Sequence, residues 1–254
     1  VPAEARFDLA PRKALEFFKG KGYATSFAWQ DVWQYQHDEA FTVAKMMQVD
    51  LLKDVRAAVD KAISDGQTLD QFREALKPRL VEAGWWGRAE MTDPATGETS
   101  LVQLGSPRRL RVIFETNMQT AYAAGHWTQI QQTEKDAPFL MYDAVNDAQT
   151  RPEHAAWDGL VLRADDPWWQ THYPPNDWGC RCGVIQLSAD QVGKDGPDTA
   201  PPVQMRDWVN PRTGEVEQVP KGVGAGWAYA PGSSRVELLR EQLAAKQQEF
   251  RDGR

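Results

Sequence analysis

The chain has 254 residues, 41% of them hydrophobic and 26% charged, a globular composition long enough for one large domain or two smaller ones. Its formal net charge is -7, which argues against a surface that wraps nucleic acid, because such binding rests on Lys and Arg neutralising phosphate. No apolar run reaches the roughly 18 residues of a membrane span, and the start, Val1-Pro2-Ala3-Glu4-Ala5-Arg6, lacks the basic-then-apolar order of a secretory signal, so cytoplasmic synthesis is expected.

Residues 1–135 read as a mostly helical body. Ala14, Phe17 and Phe18 share one side of a first helix that Gly20 and Gly22 end. A second helical run is expected from Ser26 to Met47, carrying Trp29, Val32, Trp33, Ala40, Val43 and Ala44. Leu51, Leu52, Val55, Val59 and Ile63 form the next stripe, closed by Asp65-Gly66. Thr68 and Gln71 then make a capping-box pair ahead of Leu69, Phe72, Leu76 and Leu80, with Pro78 expected to kink or end that helix. A hairpin near 91–104 turns on Asp93-Pro94-Ala95-Thr96-Gly97-Glu98. Ser106-Pro107 opens a long helix through Leu110, Ile113, Phe114, Asn117, Ala121, Ala124 and Ile130.

Residues 136–190 change character. They carry three basic and nine acidic groups, nearly the whole excess of acid, and four of the eleven Trp: Trp157, Trp168, Trp169 and Trp178. Short strands are expected at 138–142, 160–162 and 183–187, with one or two helical turns over 152–157. Residues 165–179 are irregular, and a loop of that length must be held by something other than its own backbone ladder. From 191 to 232, 13 of 42 residues are Gly or Pro, which predicts an extended strap with one hairpin near 206–219, whose turn Asn210-Pro211-Arg212-Thr213-Gly214-Glu215 reuses the chemistry of the first. A C-terminal helix is expected from Ser233, with Val236, Leu239 and Leu243 on one face. The fold class is α+β.

His154, His172, Cys180 and Cys182 all fall in the acidic segment. Two imidazoles and two thiolates suit tetrahedral zinc, and an ion would pin the irregular loop. The alternative is a pair of packed, reduced cysteines, with His154 paired to a carboxylate such as Asp147 and His172 exposed on a loop. Cys180-Arg181-Cys182 spacing does not suit a stable disulfide. Arg151 and Arg181 are expected to pair with Asp143, Asp147 or Asp158 and hold loops together through forked hydrogen bonds. Hydrolysis by Asp147 orienting a His154 base is a further reading, but no nucleophile, P-loop or His-Glu-x-x-His motif accompanies it. Gly222-Val223-Gly224-Ala225-Gly226 follows Pro220-Lys221 rather than a strand and reads as flexible strap. The Trp168, Trp169, Trp178 and Tyr173 rings read as core packing, since the local charge opposes a platform for single-stranded nucleic acid.

One ordered series has a family likeness. Asp147-Ala148-Gln149-Thr150-Arg151-Pro152-Glu153-His154, Asp158-Gly159, Asp166-Pro167-Trp168-Trp169, Tyr173-Pro174-Pro175-Asn176 and Cys180-Arg181-Cys182 resemble the signature of the phage Mu F-like head morphogenesis proteins. Ala14-Leu15-Glu16-Phe17-Phe18, Gly84-Trp85-Trp86-Gly87, Arg111 through Gly125 and Gly226-Trp227-Ala228-Tyr229-Ala230-Pro231-Gly232 are similar to the same family. The resemblance implies a minor head protein of a tailed phage or prophage, acting in procapsid assembly near the portal and carried in the virion, with the host cytoplasm as its place of assembly. It implies the portal protein and the major capsid or scaffold protein as partners, and no enzymatic activity. In other branches the positions of Arg151 and His154 resemble Cys-x-x-Cys and the last motif resembles His-Pro-x-Cys-Arg-Cys, a metal knuckle. Here Arg151 cannot ligate, and the resemblance implies a structural clasp of Asp147, Arg151, His154 and Arg181 in its place. The rival class is a metal-dependent hydrolase or nuclease delivered with the phage genome.

Overall fold

The structure is a computed structural model that describes residues 11–192 and 196–233. The expected C-terminal helix lies outside the described residues. The fold is α+β and divides into two compact units, one formed up to Val32 and over Ala40–Gly125, the other over Trp33–Glu39 and from His126 onward. The division falls inside the long helix, ahead of the compositional break at 135.

The first unit is built on helices α1 (Arg12–Lys19), α3 (Val49–Asp65) and α4 (Leu69–Glu82), with the long helix α5 (Pro107–Thr133) contributing as far as Gly125. Leu51, Leu52, Val55, Val59 and Ile63 on α3 are buried with Phe72, Leu76 and Leu80 on α4, as their spacing predicts. The Thr68 hydroxyl accepts from the Gln71 N–H at 3.3 Å while the Gln71 side chain accepts from the Thr68 N–H at 2.8 Å, which satisfies two helix-start donors reciprocally. Pro78 lies inside α4, so of the two outcomes expected, a kink or an end, the helix does not end there. Phe72 and Leu76 before it and Leu80 after it are buried on one face, and that burial outweighs the one backbone bond proline removes. Strands β3 (Arg88–Thr92) and β4 (Thr99–Gln103) form the first hairpin. Two short strands, β1 (Gly22–Tyr23) and β2 (Ala40–Phe41), pair in parallel.

The helix expected over 26–47 is absent. A 3-10 turn at Trp29–Asp31, the four-residue helix α2 (Gln36–Glu39) and β2 stand in its place. The Asp31 carboxylate accepts from the Phe27 and Ala28 N–H groups at 2.8 and 2.9 Å, a local alternative to helical bonding, and Gln34 takes a positive φ of 45°. Residues Trp33–Glu39 belong to the second unit, where Trp33 stacks on Trp208 with ring centroids 5.3 Å apart and the buried Asp38 accepts from the Gly232 N–H at 2.6 Å.

The second unit holds a three-stranded antiparallel sheet in the order β6–β5–β7: β5 (Phe139–Asp143) is central, β6 (Val161–Arg163) on one side and β7 (Gly183–Leu187) on the other. Leu140 and Tyr142 alternate onto the buried face of β5. The connections carry the short helices α6 (Pro152–Ala156) and α7 (Trp169–His172), and α8 (Ala189–Val192) follows β7. The strap contains the second hairpin, β8 (Met205–Val209) with β9 (Val216–Pro220). Its turn repeats the first bond for bond: Gly97 and Gly214 donate to the carbonyls of Asp93 and Asn210 at 2.8 Å in both, and the Asp93 and Asn210 side chains accept from the N–H two residues on at 2.9 and 3.0 Å.

Candidate functional site

α6 begins with Pro152 at its first position, whose fixed φ and missing N–H suit a helix start. One turn on, His154 points inward and is 1% exposed. Its ring stacks on Trp157 at 5.3 Å and meets Tyr142 edge-on at 6.4 Å. The cysteines arrive from the other side of the unit. A turn closed by the Cys180 N–H donating to the Asp177 carbonyl at 3.0 Å, with Gly179 at a φ of 67°, delivers Cys180 and Cys182 just before β7.

His154 Nε2 lies 2.9 Å from the Gly222 carbonyl oxygen, so Nε2 donates a hydrogen there and Nδ1 is left facing the two sulfurs. Nδ1 lies 3.7 Å from Cys180 Sγ and 3.6 Å from Cys182 Sγ. All three donor atoms fall within 4.8 Å of one another. Sharing a hydrogen with Cys180, together with the His154 ring and the Tyr142 hydroxyl, holds the Cys182 thiol well below its ordinary range, while the same sharing and burial push Cys180 up. Tyr142 itself is pushed up, by burial first and then by the two sulfurs. Its hydroxyl donates to the Asn176 side-chain oxygen at 2.9 Å, and the Asn176 amide nitrogen is buried without a partner among the described residues.

The donor set fits a zinc-like ion. Bond lengths of about 2.3 Å to sulfur and about 2.0–2.1 Å to nitrogen at a tetrahedral centre place N and S about 3.6 Å apart. The two observed separations, 3.6 and 3.7 Å, match it. His154, Cys180 and Cys182 would hold the ion, and a fourth ligand would come from outside this set. His172, expected as the fourth, does not join them. It is buried, not exposed on its loop, and stacks on Trp168 at 4.3 Å, with Nδ1 2.8 Å from Thr171 Oγ1 and 3.3 Å from the Trp168 carbonyl. The Trp157 indole touches both imidazoles, stacked on one and edge-on to the other.

Two ion pairs flank the sulfurs. Arg181 Nη2 lies 2.7 Å from Asp147 Oδ1, and Arg151 Nη2 lies 2.9 Å from Asp177 Oδ2 and 3.1 Å from the Trp178 carbonyl. They cross in antiparallel order, 147 to 181 and 151 to 177, so residues 147–154 are joined to 177–182 at two points. The partner of Arg151 is Asp177, not one of the three carboxylates expected. Asp158 instead accepts from the Ala144 N–H at 2.8 Å and the Asn146 amide at 2.6 Å, and Asp147 also accepts from the Gln149 N–H at 2.9 Å. The Arg181 guanidinium and those hydrogen bonds hold the Asp147 carboxyl well below the usual carboxylate range. Of the aromatic residues, Trp168, Trp169 and Tyr173 are buried, while Trp178 is partly exposed and meets Trp227 edge-on at 5.1 Å.

Sequence reasoning missed Asp177, Tyr142, Asn176 and above all Gly222, which acts through its backbone. The alternating glycines at 222, 224 and 226 were the available signal. A Cβ at Gly222 would lie 2.5 Å from the Trp157 ring and 2.8 Å from Glu153 Cβ, and one at Gly224 would lie 2.2 Å from Asp177 Oδ1. The segment read as flexible strap is therefore packed in backbone contact with the site.

The family profile described as Phage Mu protein F like protein matches residues 53–185. The chain is 36% identical to the F protein of Escherichia phage Mu, whose name assigns it to capsid assembly, over 96% of this chain and 60% of that protein. It is 40% identical to the Mu-like prophage FluMu F protein of Haemophilus influenzae over 88% of this chain and 58% of the relative. A third, uncharacterised H. influenzae protein is 24% identical over 59% of this chain. The chain thus spans about three fifths of the length of the first two relatives. No solved structure matches it. With the profile covering more than half of the chain and similarity to two F proteins extending across most of the rest, the chain belongs to the phage Mu F-like protein family.

Proposed function

We propose that this chain is a structural component of phage head assembly, a minor head protein that joins the procapsid through contacts with the portal and with the major capsid or scaffold protein and stays in the virion. The observation that carries this reading is similarity along nearly the whole chain to a protein named for capsid assembly. The site geometry supports it. His154, Cys180, Cys182 and the two Arg–Asp pairs join 147–154, 177–182 and the strap, which is the work of a clasp. The hydrolase reading needs a carboxylate behind the imidazole, and the His154 ring instead meets a backbone carbonyl and two sulfurs while Asp147 is engaged by Arg181. Co-expression with the portal and capsid proteins of the same phage, followed by mass spectrometry of purified heads, tests the assignment. Recovery in heads and in a complex with either protein is expected. A chain that stays free of both and is missing from heads rules it out.

Within that role the site is proposed to bind zinc through His154 Nδ1 and the two thiolates. Elemental analysis of chain purified without chelator is expected to give one zinc per chain, lost in the Cys180→Ala, Cys182→Ala variant. A chain that binds no zinc when it is supplied leaves the Arg–Asp pairs as the clasp.

A further inference from the structure

The strap reaches the thiolate–imidazole site at several points, all in the second unit. Gly222 O accepts from His154 Nε2 at 2.9 Å, and Gly224 N–H donates to the Asn176 carbonyl at 2.8 Å. Trp227 closes on Trp178. Asn176 in turn accepts from the Tyr142 hydroxyl at 2.9 Å, so the strap meets the polar surroundings of the site as well as the His154 ring. Gly222 has a φ of 87°, in the left-handed region, and its α-carbon sits against Trp157 and Glu153 with no room for a Cβ. Both constraints allow glycine only.

We propose that Gly222 is a positioning residue of the metal site: its carbonyl holds the His154 ring as the Nε2–H tautomer with Nδ1 facing the sulfurs, so that docking of strap residues 221–227 and binding of the metal are one coupled event. The inference rests on the zinc reading above. A histidine ring has two nitrogens of similar basicity, and which one ligates is set by the hydrogen bond the other makes. Here that bond comes from a segment 68 residues downstream. Coupling free energy is reciprocal, so a strap that prepares the ligand is itself held by the bound ion. Glycine at 222 thereby links the second hairpin, through β9, to the occupancy of the site.

The test is hydrogen exchange on the full chain with zinc bound and after zinc is removed by chelation. The Gly224 and Trp227 amides, which donate to Asn176 O and Gly224 O, are expected to lose protection when zinc is withdrawn. Nitrogen-15 imidazole spectra of the zinc form are expected to show His154 protonated at Nε2 and ligated at Nδ1. Gly222→Ala is expected to bind zinc roughly 10–100-fold more weakly, the usual cost of losing an outer hydrogen-bond partner. Zinc that binds tightly while strap exchange stays the same with and without it overturns the coupling but leaves the site standing. Ligation through Nε2 overturns the positioning role. A chain that takes up no zinc overturns the site reading itself, and the two failures are told apart by whether metal is bound. The exchange measurement uses the unsubstituted chain, so it decides the matter even if Gly222→Ala does not fold.

Discussion

His172 shows how a buried side chain sets a pH limit on the fold. It is 2% exposed, with Trp168 stacked on one face and the Trp157 edge nearby. Burial pushes its pKa down to about 4, and proximity to His154 adds to the effect against a partial opposing pull from the Trp168 carbonyl. In the unfolded chain the ring returns to its ordinary value near 6.5. Between those values the unfolded chain binds a proton that the folded chain refuses, so stability is complete above pH 6.5 and falls as pH drops towards 4. Each pKa unit corresponds to about 1.4 kcal/mol, so the loss at this residue reaches about 3 kcal/mol at the lower limit. His172→Phe keeps a ring in the stack and gives up the bond to Thr171, about 1 kcal/mol at neutral pH. Urea unfolding of the second unit at pH 7 and pH 5 is expected to show a smaller drop in the variant; an equal drop in both chains excludes His172 as the acid-sensitive group. His154, Cys180 and Cys182 were legible in the sequence because their side-chain chemistry identifies them wherever they lie. His172 has the same chemistry and was misplaced because residue type says nothing about direction. Gly222 had no side chain to read.

Among the elements, α5 meets α1 by a close backbone approach at Gly125. A Cβ there would lie 2.7 Å from the Ala14 nitrogen and 3.1 Å from its α-carbon. On an exposed helix, Gly→Ala gains about 1 kcal/mol of helix propensity. At 125 the obstacle is the main chain of another helix, which cannot rotate aside as a side-chain tip would, so the substitution is expected to destabilise the first unit by about 1–3 kcal/mol. Denaturant unfolding of Gly125→Ala reads the sign directly, and a gain in stability contradicts the close approach. The same contrast between local and distant causes explains which elements could be anticipated. The α3 stripe, the Thr68–Gln71 cap and both hairpin turns are specified by residues within a few positions of one another, and each forms where its pattern lies. The stretch 26–47 has helical spacing, but Trp33 and Asp38 are held by Trp208 and Gly232, far along the chain, and those partners override the local pattern.

Across the whole molecule, the two units depend on different kinds of stabilisation. The first has a continuous apolar core shared by α1, α3, α4 and α5. The second, among the described residues, has one sheet of three short strands, a separate hairpin, and a long connection between β6 and β7 whose regular structure is limited to α7. Its aromatic cluster, with Tyr142, Trp157 and Trp168 meeting at right-angled edges, fills the interior but leaves the loops to be fixed by polar links. All three proposed metal donors lie in this unit. An ion that binds only the folded state adds about 2.7 kcal/mol at a free concentration 100-fold above its dissociation constant. Chelation is therefore expected to lower the opening free energy of the β5 amides, at Leu140 and Tyr142, and to leave the α3 amides at Leu52 and Val55 unchanged. Residue-resolved hydrogen exchange separates the two without assuming a single unfolding transition. The Cys180→Ala, Cys182→Ala chain is expected to show the lowered β5 value with or without zinc. Equal loss in α3 and β5 on chelation means that the metal stabilises the molecule as one cooperative body, whereas no loss in β5 means that the Arg–Asp pairs and the aromatic packing suffice. Only a selective loss fits a metal confined to the second unit, whose residues 136–190 hold nearly all the surplus acid and four of the eleven Trp.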